Sequence, residues 1–292
     1  MNSIPLVSIV MPMRNSEKTV LAAVRSIQLQ TLQHWELIII DDGSSDKSYR
    51  IVSAIDDDRI RLVRKQTNGG LARRLNQAIE LSRGDFIARM DADDVCFPER
   101  LSRQVAKLQS DPTIDILGCG AAVFSENGAL VGLLPVGTDH EKIVSKPFVG
   151  FSLPHPTWCG RATWFRSNPY DSQFMKAEDN DLLLRTFQRS RFCALETVLF
   201  GYRQHRLDLR KILLGRYASL VSMWRYGRSS GEIFPAFQGV VMQVIKGLVD
   251  ILTIGLGFNR IMQARRLNPV PQSVVQEWQD VQEKLGGLGA RL

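Results

Sequence analysis

The sequence predicts an α/β protein: a mostly parallel sheet flanked by helices, with a helical extension at its C-terminal end. Three observations carry this. Short apolar runs alternate with amphipathic segments through residues 1–125, the pattern of parallel strands joined by crossover helices. Polar and acidic residues gather directly after the apolar runs, where open α/β sheets bind ligands. After residue 206 the composition shifts to long apolar stretches interleaved with arginine and lysine.

The elements follow in order. Leu6-Val7-Ser8-Ile9-Val10-Met11 is a buried strand expected to stop at Pro12. Asn15-Ser16 and Glu17 offer an N-cap for a helix through about Gln30, with Val20, Ala23, Val24 and Ile27 on one face. Leu37–Ile40 is a second strand, ending in Asp41-Asp42-Gly43-Ser44-Ser45-Asp46, with Asp46 as a helix cap before Tyr49–Ile55. Ile60–Val63 leads through Asn68-Gly69-Gly70 into a helix carrying Leu71, Leu75, Ala78, Ile79 and Leu81. Phe86–Ala88 is a fourth strand, Pro98 opens a helix over Leu101–Leu108, and Ile114–Gly118 is a fifth strand. Residues 125–150 read as loops and short elements, and Phe192–Leu195 and Val198–Phe200 as two late strands.

With 292 residues, 44% hydrophobic and 23% charged, the chain can bury a substantial core. A net charge of +7 suits nucleic acid, an anionic membrane surface or phosphorylated substrates. Cys96, Cys119, Cys159 and Cys193 form no C-x-x-C pair, which argues against zinc and for buried thiols in a reducing compartment. The N-terminal residues lack the basic and apolar regions of a signal peptide.

The most informative stretch is Ala88-Arg89-Met90-Asp91-Ala92-Asp93-Asp94, where a strand ends in three carboxylates within four residues. Such acids repel one another unless a cation sits among them, and their oxygens suit Mg²⁺ or Mn²⁺. A solvated, helix-capping loop is the plain alternative. Asn15, Asp41, Asp42, Asn68, Asp91 and Asp93 all follow strands, so the topology converges them at one edge. A dinucleotide dehydrogenase is excluded, because Pro12-Met13-Arg14-Asn15-Ser16 stands where G-x-G-x-x-G belongs, and no P-loop lysine is present. Asp91-Ala92-Asp93-Asp94-Val95 also matches the D-x-D-x-[TV] signature of haloacid-dehalogenase-type phosphatases, but that signature belongs on a first strand.

Taken together, Val7–Pro12 with Asn15, Asp41–Asp46, Asn68-Gly69-Gly70 with Asn76, and Asp91–Asp94 resemble the family 2 glycosyltransferases of GT-A fold, over roughly the first 205 residues. The resemblance implies a catalytic domain over 1–206 that binds a nucleoside-diphosphate sugar, UDP being the family's common carrier. It places Pro12, Asn15, Asp42, Asn68 and Asp91 at the donor, with Asp42 at the base or ribose. Asp93, with Asp91, would ligate Mn²⁺ or Mg²⁺ on the diphosphate. Arg73 or Arg74 would neutralise phosphate; Leu75 stands where many relatives carry an arginine.

Further on, Lys176–Arg185 sets acids before an apolar helical run, with Asp181 and Arg185 in i,i+4 register. The resemblance maps the catalytic base onto Asp179, with Glu178 tuning it. Tyr202-Arg203-Gln204-His205 resembles the family's Y-R-x-H element, and the resemblance implies His205 as a ligand of the metal or a contact of the diphosphate. His155, between two prolines, is expected in an extended segment, near donor sugar or acceptor or simply packed in a rigid loop.

The extension, 207–292, carries a basic amphipathic helix and then an apolar stretch, Phe237–Phe258. Gly239, Gln243, Lys246, Asp250, Thr253 and Gly257 form one narrow stripe on it, which suits packing on protein, on a second copy or in a bilayer surface. The tail after Pro271 reads as amphipathic and then frayed.

The sequence thus predicts a metal-dependent, inverting glycosyltransferase of bacterial surface-polysaccharide type. Its acceptor would be a glycan or polyprenyl-linked glycan, and its place the cytoplasm or the inner face of the plasma membrane. A homodimer through the C-terminal helices is a further expectation, and nucleic acid is not an expected partner. The competing readings are a phosphohydrolase using the D-x-D-x-V carboxylates and a non-catalytic nucleotide-sugar-binding protein.

Overall fold

The computed structural model describes residues 5–205, 208–256, 267–290 and 292. The first half alternates as the sequence predicts: β1 (Val7–Met13), α1 (Val20–Gln28), β2 (Trp35–Asp42), α2 (Ser48–Ser53), β3 (Ile60–Lys65), α3 (Leu71–Leu81) and β4 (Phe86–Arg89). These strands pair in the order β3-β2-β1-β4, all parallel, so their carboxyl ends share one edge.

The period of two along the strands builds both cores. Val7, Ile9, Met11, Leu37 and Ile39 pack against Val20, Ala23, Val24 and Ile27 of α1. Val10, Ile38 and Ile40 face the opposite way, onto Ala72, Leu75, Ala78 and Ile79 of α3. Each fully buried Val, Ile, Leu or Met among them stabilises the fold by about 1.5–3 kcal/mol.

The second half adds β5 (Val95–Cys96), α4 (Arg100–Ser110), β6 (Ile116–Phe124), β7 (Leu130–Leu133), α5 (His140–Ile143), β8 (Cys159–Arg161), α6 (Ala162–Ser167), α7 (Glu178–Thr186) and β9 (Phe192–Arg203). The sheet continues β4-β8-β6-β9-β5, with β7 on the flank of β6. Here the pairing is mixed. Short β8 is antiparallel to both β4 and β6, β6 and β9 are parallel, and β5 and β7 are antiparallel additions. The parallel arrangement therefore belongs to the first four strands and to the β6–β9 pair.

Several boundaries differ from expectation. β1 does not stop at Pro12 but runs to Met13. The Met90 N–H donates to the Val10 carbonyl, so Val10, and Pro12 two residues on, face the β4 side. Pairing with β4 ends at Val10, so the N–H that proline lacks is not needed there. Helix α1 starts at Val20 because Asn15 and Glu17 spend their side chains on the 45–47 loop, which donates the Ser45 N–H to Asn15 Oδ1 and the Lys47 N–H to Glu17 Oε2. The two late strands are one, with register shifts around Gly120 taking up the irregularity. His155–Thr157 forms a 3₁₀ turn rather than an extended segment.

After the sheet come α8 (Leu209–Ser230) and α9 (Ile233–Gly255), packed along each other and joined at Gly231, whose φ of +80° closes α8. Residues 206 and 207, where the sequence predicts a division, and 257–266, which include the end of the Phe237–Phe258 stretch, lie outside the described residues. The tail after Pro271 is amphipathic as expected: a helix over Gln272–Gly287 buries Val274, Trp278, Val281 and Leu285, while residues 286–289 beyond that face are exposed. Its Trp278 is buried, stacks 4.7 Å from Phe124 and donates Nε1–H to the Gly128 carbonyl at 2.8 Å. A Cβ on Gly201 would lie 2.7 Å from that indole, so the sheet accepts the ring only with glycine beneath it.

Candidate active site

The carboxyl ends of β1, β2 and β4 deliver the polar residues to one side of the sheet. After β4, one oxygen each from Asp91, Asp93 and Asp94 lies within 4.8 Å of the others. Arg89, the last residue of β4, is buried and brings Nη2 to Asp91 Oδ1 at 2.7 Å. Strand β9 closes the cluster from the other side. The Arg203 N–H donates to Asp94 Oδ1 at 2.8 Å and its Nε–H to the Asp93 carbonyl at 2.8 Å. His205 Nε2 reaches Asp93 Oδ2 at 2.6 Å.

The electrostatics are those of acids crowded together. Burial pushes the Asp94 carboxyl well above the usual range, and its acidic neighbours Asp93 and Asp91 add to the shift. Asp91 is raised by burial and by Asp93, against the pull of Arg89. The hydrogen bond to Asp93 raises His205. Asp94 Oδ2, Arg89 Nε and Nη1, and Arg203 Nη2 are buried polar atoms without a hydrogen-bond partner. Orphaned buried atoms of this kind carry a desolvation cost that a bound ligand can relieve. Three carboxylates, one of them with an unpartnered oxygen, and one imidazole fit a divalent cation such as Mn²⁺ or Mg²⁺.

The second acidic group is the first turn of α7. Ala177 adopts a left-handed φ of +58° and turns the chain so that Glu178 and Asp179 open the helix. Glu178 is buried and its carboxyl is pushed up to about 7, by burial first and then by Asp179. Burial also raises Asp179. His155 Nδ1 stands 4.0 Å from Glu178 Oε1, and its Nε2 bonds the Tyr170 hydroxyl at 2.8 Å. Burial and the nearby Arg89 hold His155 well below its usual range, so it is a neutral, packed histidine. Arg89 and Lys176 favour the charged form of Asp91, Glu178 and Asp179 alike.

The other expected residues are placed as follows. Asp42 is buried and accepts from the Gly69 N–H at 2.7 Å, the Gly70 N–H at 3.0 Å and Arg74 Nε at 2.5 Å. Arg74 also donates to the Thr67 carbonyl at 2.6 Å and to Gln77 Oε1 at 2.9 Å. A Cβ on Gly69 would lie 2.7 Å from Arg74 Nη2, and Gly70 has a φ of +84°, so the double glycine is what lets this loop close on the pair. Arg74 is thereby a brace with its donors committed, whereas Arg73 is exposed on the same helix. Asn68 Oδ1 accepts locally from the Gly70 N–H at 3.1 Å. Asn15, with a left-handed φ of +50°, ties the loop after β1 to the loop after β2 through Ser44 Oγ at 3.0 Å and the Ser45 N–H at 2.9 Å. Pro12 is half-buried inside β1.

Sequence reasoning gave no role to Arg89, Tyr170 or Asn76. Arg89 carried a signal, a cation closing a buried strand just before three acids. Tyr170 carried none, because its place depends on Asn76, whose side chain clamps the Tyr170 backbone at 2.8 and 3.0 Å from 94 residues away.

The model of the family described as glycosyl transferase family 2 matches residues 8–166, which span the sheet edge, the Asp42–Arg74 brace and the acidic cluster. The chain is also 36% identical over 211 residues to EpsE of Bacillus subtilis (strain 168), described as a glycosyltransferase, covering 70% of this chain and 75% of that one.

The chain belongs to glycosyl transferase family 2.

A family 2 assignment fits the position of the acids after β4, and removes the haloacid-dehalogenase reading, which needs them on a first strand. A further relative is the Escherichia coli protein WfgD, named as a UDP-Glc:alpha-D-GlcNAc-diphosphoundecaprenol beta-1,3-glucosyltransferase, 28% identical over 223 residues that cover 75% of this chain and 84% of that one. Among solved structures, S. aureus TarS 1–349 in complex with UDP-GlcNAc superposes with a TM-score of 0.62 at 16% identity, covering 94% of this chain and 79% of TarS. That likeness shows the GT-A-type fold.

Proposed function

We propose that this family 2 enzyme transfers a sugar from a UDP-linked donor to a hydroxyl of a glycan or polyprenyl-linked glycan, with inversion, in the assembly of a surface polysaccharide. The observation that carries the reading is the acidic cluster after β4, where Asp91, Asp93 and Asp94 lie within 4.8 Å of one another and His205 reaches Asp93 at 2.6 Å, in a chain that matches the family over residues 8–166. The printed name of WfgD supports a UDP-sugar donor and a diphosphoundecaprenol-linked acceptor. WcaA of Escherichia coli (strain K12), described with colanic acid biosynthesis and 32% identical over 193 residues, supports the polysaccharide setting. The TarS complex with UDP-GlcNAc supports the uridine nucleotide.

In this reading Asp93, Asp91 and His205 hold Mn²⁺ or Mg²⁺, whose charge when bound would offset that of the diphosphate. Pro12, Asn15, Asn68 and the braced Asp42 shape the nucleoside pocket, and exposed Arg73, rather than Arg74, offers a further phosphate contact. Asp179 accepts the proton of the acceptor hydroxyl as that oxygen attacks the anomeric carbon opposite the leaving diphosphate. One displacement from the far side inverts the configuration. Glu178, held near neutrality, limits the negative charge that Asp179 must face. Arg89 stays charged despite burial, because Asp91 stabilises its cation, and it holds Asp91 in place. Seating donor and acceptor between these two acidic groups lowers the entropic barrier.

The test is a panel of nucleoside-diphosphate sugars with Mn²⁺ or Mg²⁺ and polyprenyl-diphosphate glycans, reading released nucleoside diphosphate and the anomeric configuration of the product. Turnover of a UDP-sugar with inversion is expected. Retention, or phosphate released from simple phosphoesters instead, would contradict the reading.

A further inference from the structure

Helix α9 is built inside out. Its buried stripe is small or polar: Ala236, Gly239, Gln243, Gly247 and Asp250. Its outward residues are large and apolar, with Phe234 70%, Leu248 56% and Leu252 62% exposed. A helix that turns polar atoms inward and Phe, Ile, Leu and Val outward is adapted to surroundings other than water.

The inward stripe fixes how α9 lies. Arg216 of α8 donates Nε–H to Asp250 Oδ2 at 2.5 Å and Nη1–H to Gln243 Oε1 at 3.1 Å. Gly239 lets the Phe148 backbone approach, since a Cβ there would stand 2.7 Å from the Phe148 carbonyl. α8 is in turn tied to the catalytic domain, Ser222 Oγ donating to Asp181 Oδ1 at 2.7 Å. The 23 residues of α9 are long and apolar enough to cross a bilayer. Crossing would drag along α8, whose Arg210, Lys211, Arg225 and Arg228 are exposed.

We propose that the α8–α9 pair seats the protein on an anionic bilayer, with α9 lying in the plane of the leaflet and its outward face among the acyl chains. Charge favours this occupant over a second copy of the chain. Residues 208–256, which span the pair, hold six Lys and Arg against three Asp and Glu, a net +3. Like charges on two copies would repel, whereas an anionic leaflet attracts them. On α8, Tyr217 and Trp224 are exposed on the same side as Arg210, Arg225 and Arg228, the mixture of aromatic rings and long cations found at headgroup level.

The seat also faces the active site. An apolar groove of about 660 Å³ runs between Lys146–Val149 and the first half of α9. Next in the chain after that lining is Gly150, where a Cβ would stand 3.9 Å from Asn180 Oδ1, one residue after Asp179. A second hollow of about 330 Å³, lined by Met175, Lys176, Leu214 and Tyr217, ends three residues before Asp179. A leaflet under α9 therefore lies beside the first turn of α7.

The experiment is flotation of the full chain with vesicles of phosphatidylcholine alone or with about 30 mol% phosphatidylglycerol. The protein is expected to float with the anionic vesicles and about tenfold less with the neutral ones. Ile245→Glu/Leu248→Glu, at outward positions, should abolish flotation while keeping the wild-type thermal melt. Lys211→Glu/Arg228→Glu should remove the preference for anionic vesicles. Wild-type protein that stays at the bottom of every gradient overturns the proposal. So does a wild-type dimer, stable without lipid, that Leu248→Glu splits, because a second copy then covers the face. Flotation needs neither donor nor acceptor, so protein that floats yet transfers nothing defeats the proposed function and leaves the membrane seat standing.

Discussion

His205 Nε2 lies 2.6 Å from Asp93 Oδ2, although 112 residues separate them in the chain. Strand β9 makes this contact by running antiparallel to β5, directly after the acidic turn, so that its end returns to the end of β4. Asp93→Ala is expected to weaken Mn²⁺-dependent donor binding at least a hundredfold, about 3 kcal/mol. His205→Ala, which leaves the carboxylates in place, is expected to weaken it about tenfold. Titration calorimetry with UDP, with and without Mn²⁺, measures both. Equal affinity in the Asp93 variant removes its assigned role.

Asp179→Asn separates binding from chemistry. The amide keeps the shape of the first turn of α7 but cannot take a proton. Donor affinity should stay within about threefold of wild type while transfer falls by about 10²–10⁴. Steady-state kinetics beside equilibrium donor binding gives the comparison. A variant that still transfers at wild-type rate places the base elsewhere.

The Glu178 carboxyl sits at about 7 in the folded chain against an ordinary value of 4.5. Its proton is therefore held more tightly folded than unfolded, and ionising it works against the fold as pH rises from 4.5 through 7. Glu178→Gln should gain about 1–3 kcal/mol relative to wild type at pH 8 and little at pH 4, read by urea unfolding at both pH values.

Asp42 and Arg74 are buried together, with side chains 7% and 5% exposed. Arg74→Met leaves an uncompensated carboxylate and should cost about 3–5 kcal/mol in chemical unfolding. Arg73→Met, on the exposed side of α3, should leave stability within about 0.5 kcal/mol and act on donor affinity instead.

The first half of the fold was legible because its signals are local. Apolar runs, Gly-Gly at 69 and 70, and acids closing Phe86–Ala88 each state their own structure. The antiparallel insertion of β8 was not legible, since three residues, Cys159–Arg161, carry no period of their own. The amphipathic tail was legible as a helix, but not its docking place, since Trp278 is held by Phe124, Gly128 and Gly201, partners that no nearby residue announces. At the site, the acids were visible and their cations were not. Arg74 looks like a phosphate ligand until Asp42 is seen to claim it.

The most direct test is a crystal of the full chain grown with Mn²⁺ and a UDP-sugar, with anomalous scattering used to locate the metal. The account predicts one manganese bound by Asp93 on the donor diphosphate, with the anomeric carbon facing Asp179. Manganese found away from Asp91, Asp93 and His205, or a donor sugar turned away from the first turn of α7, would contradict it.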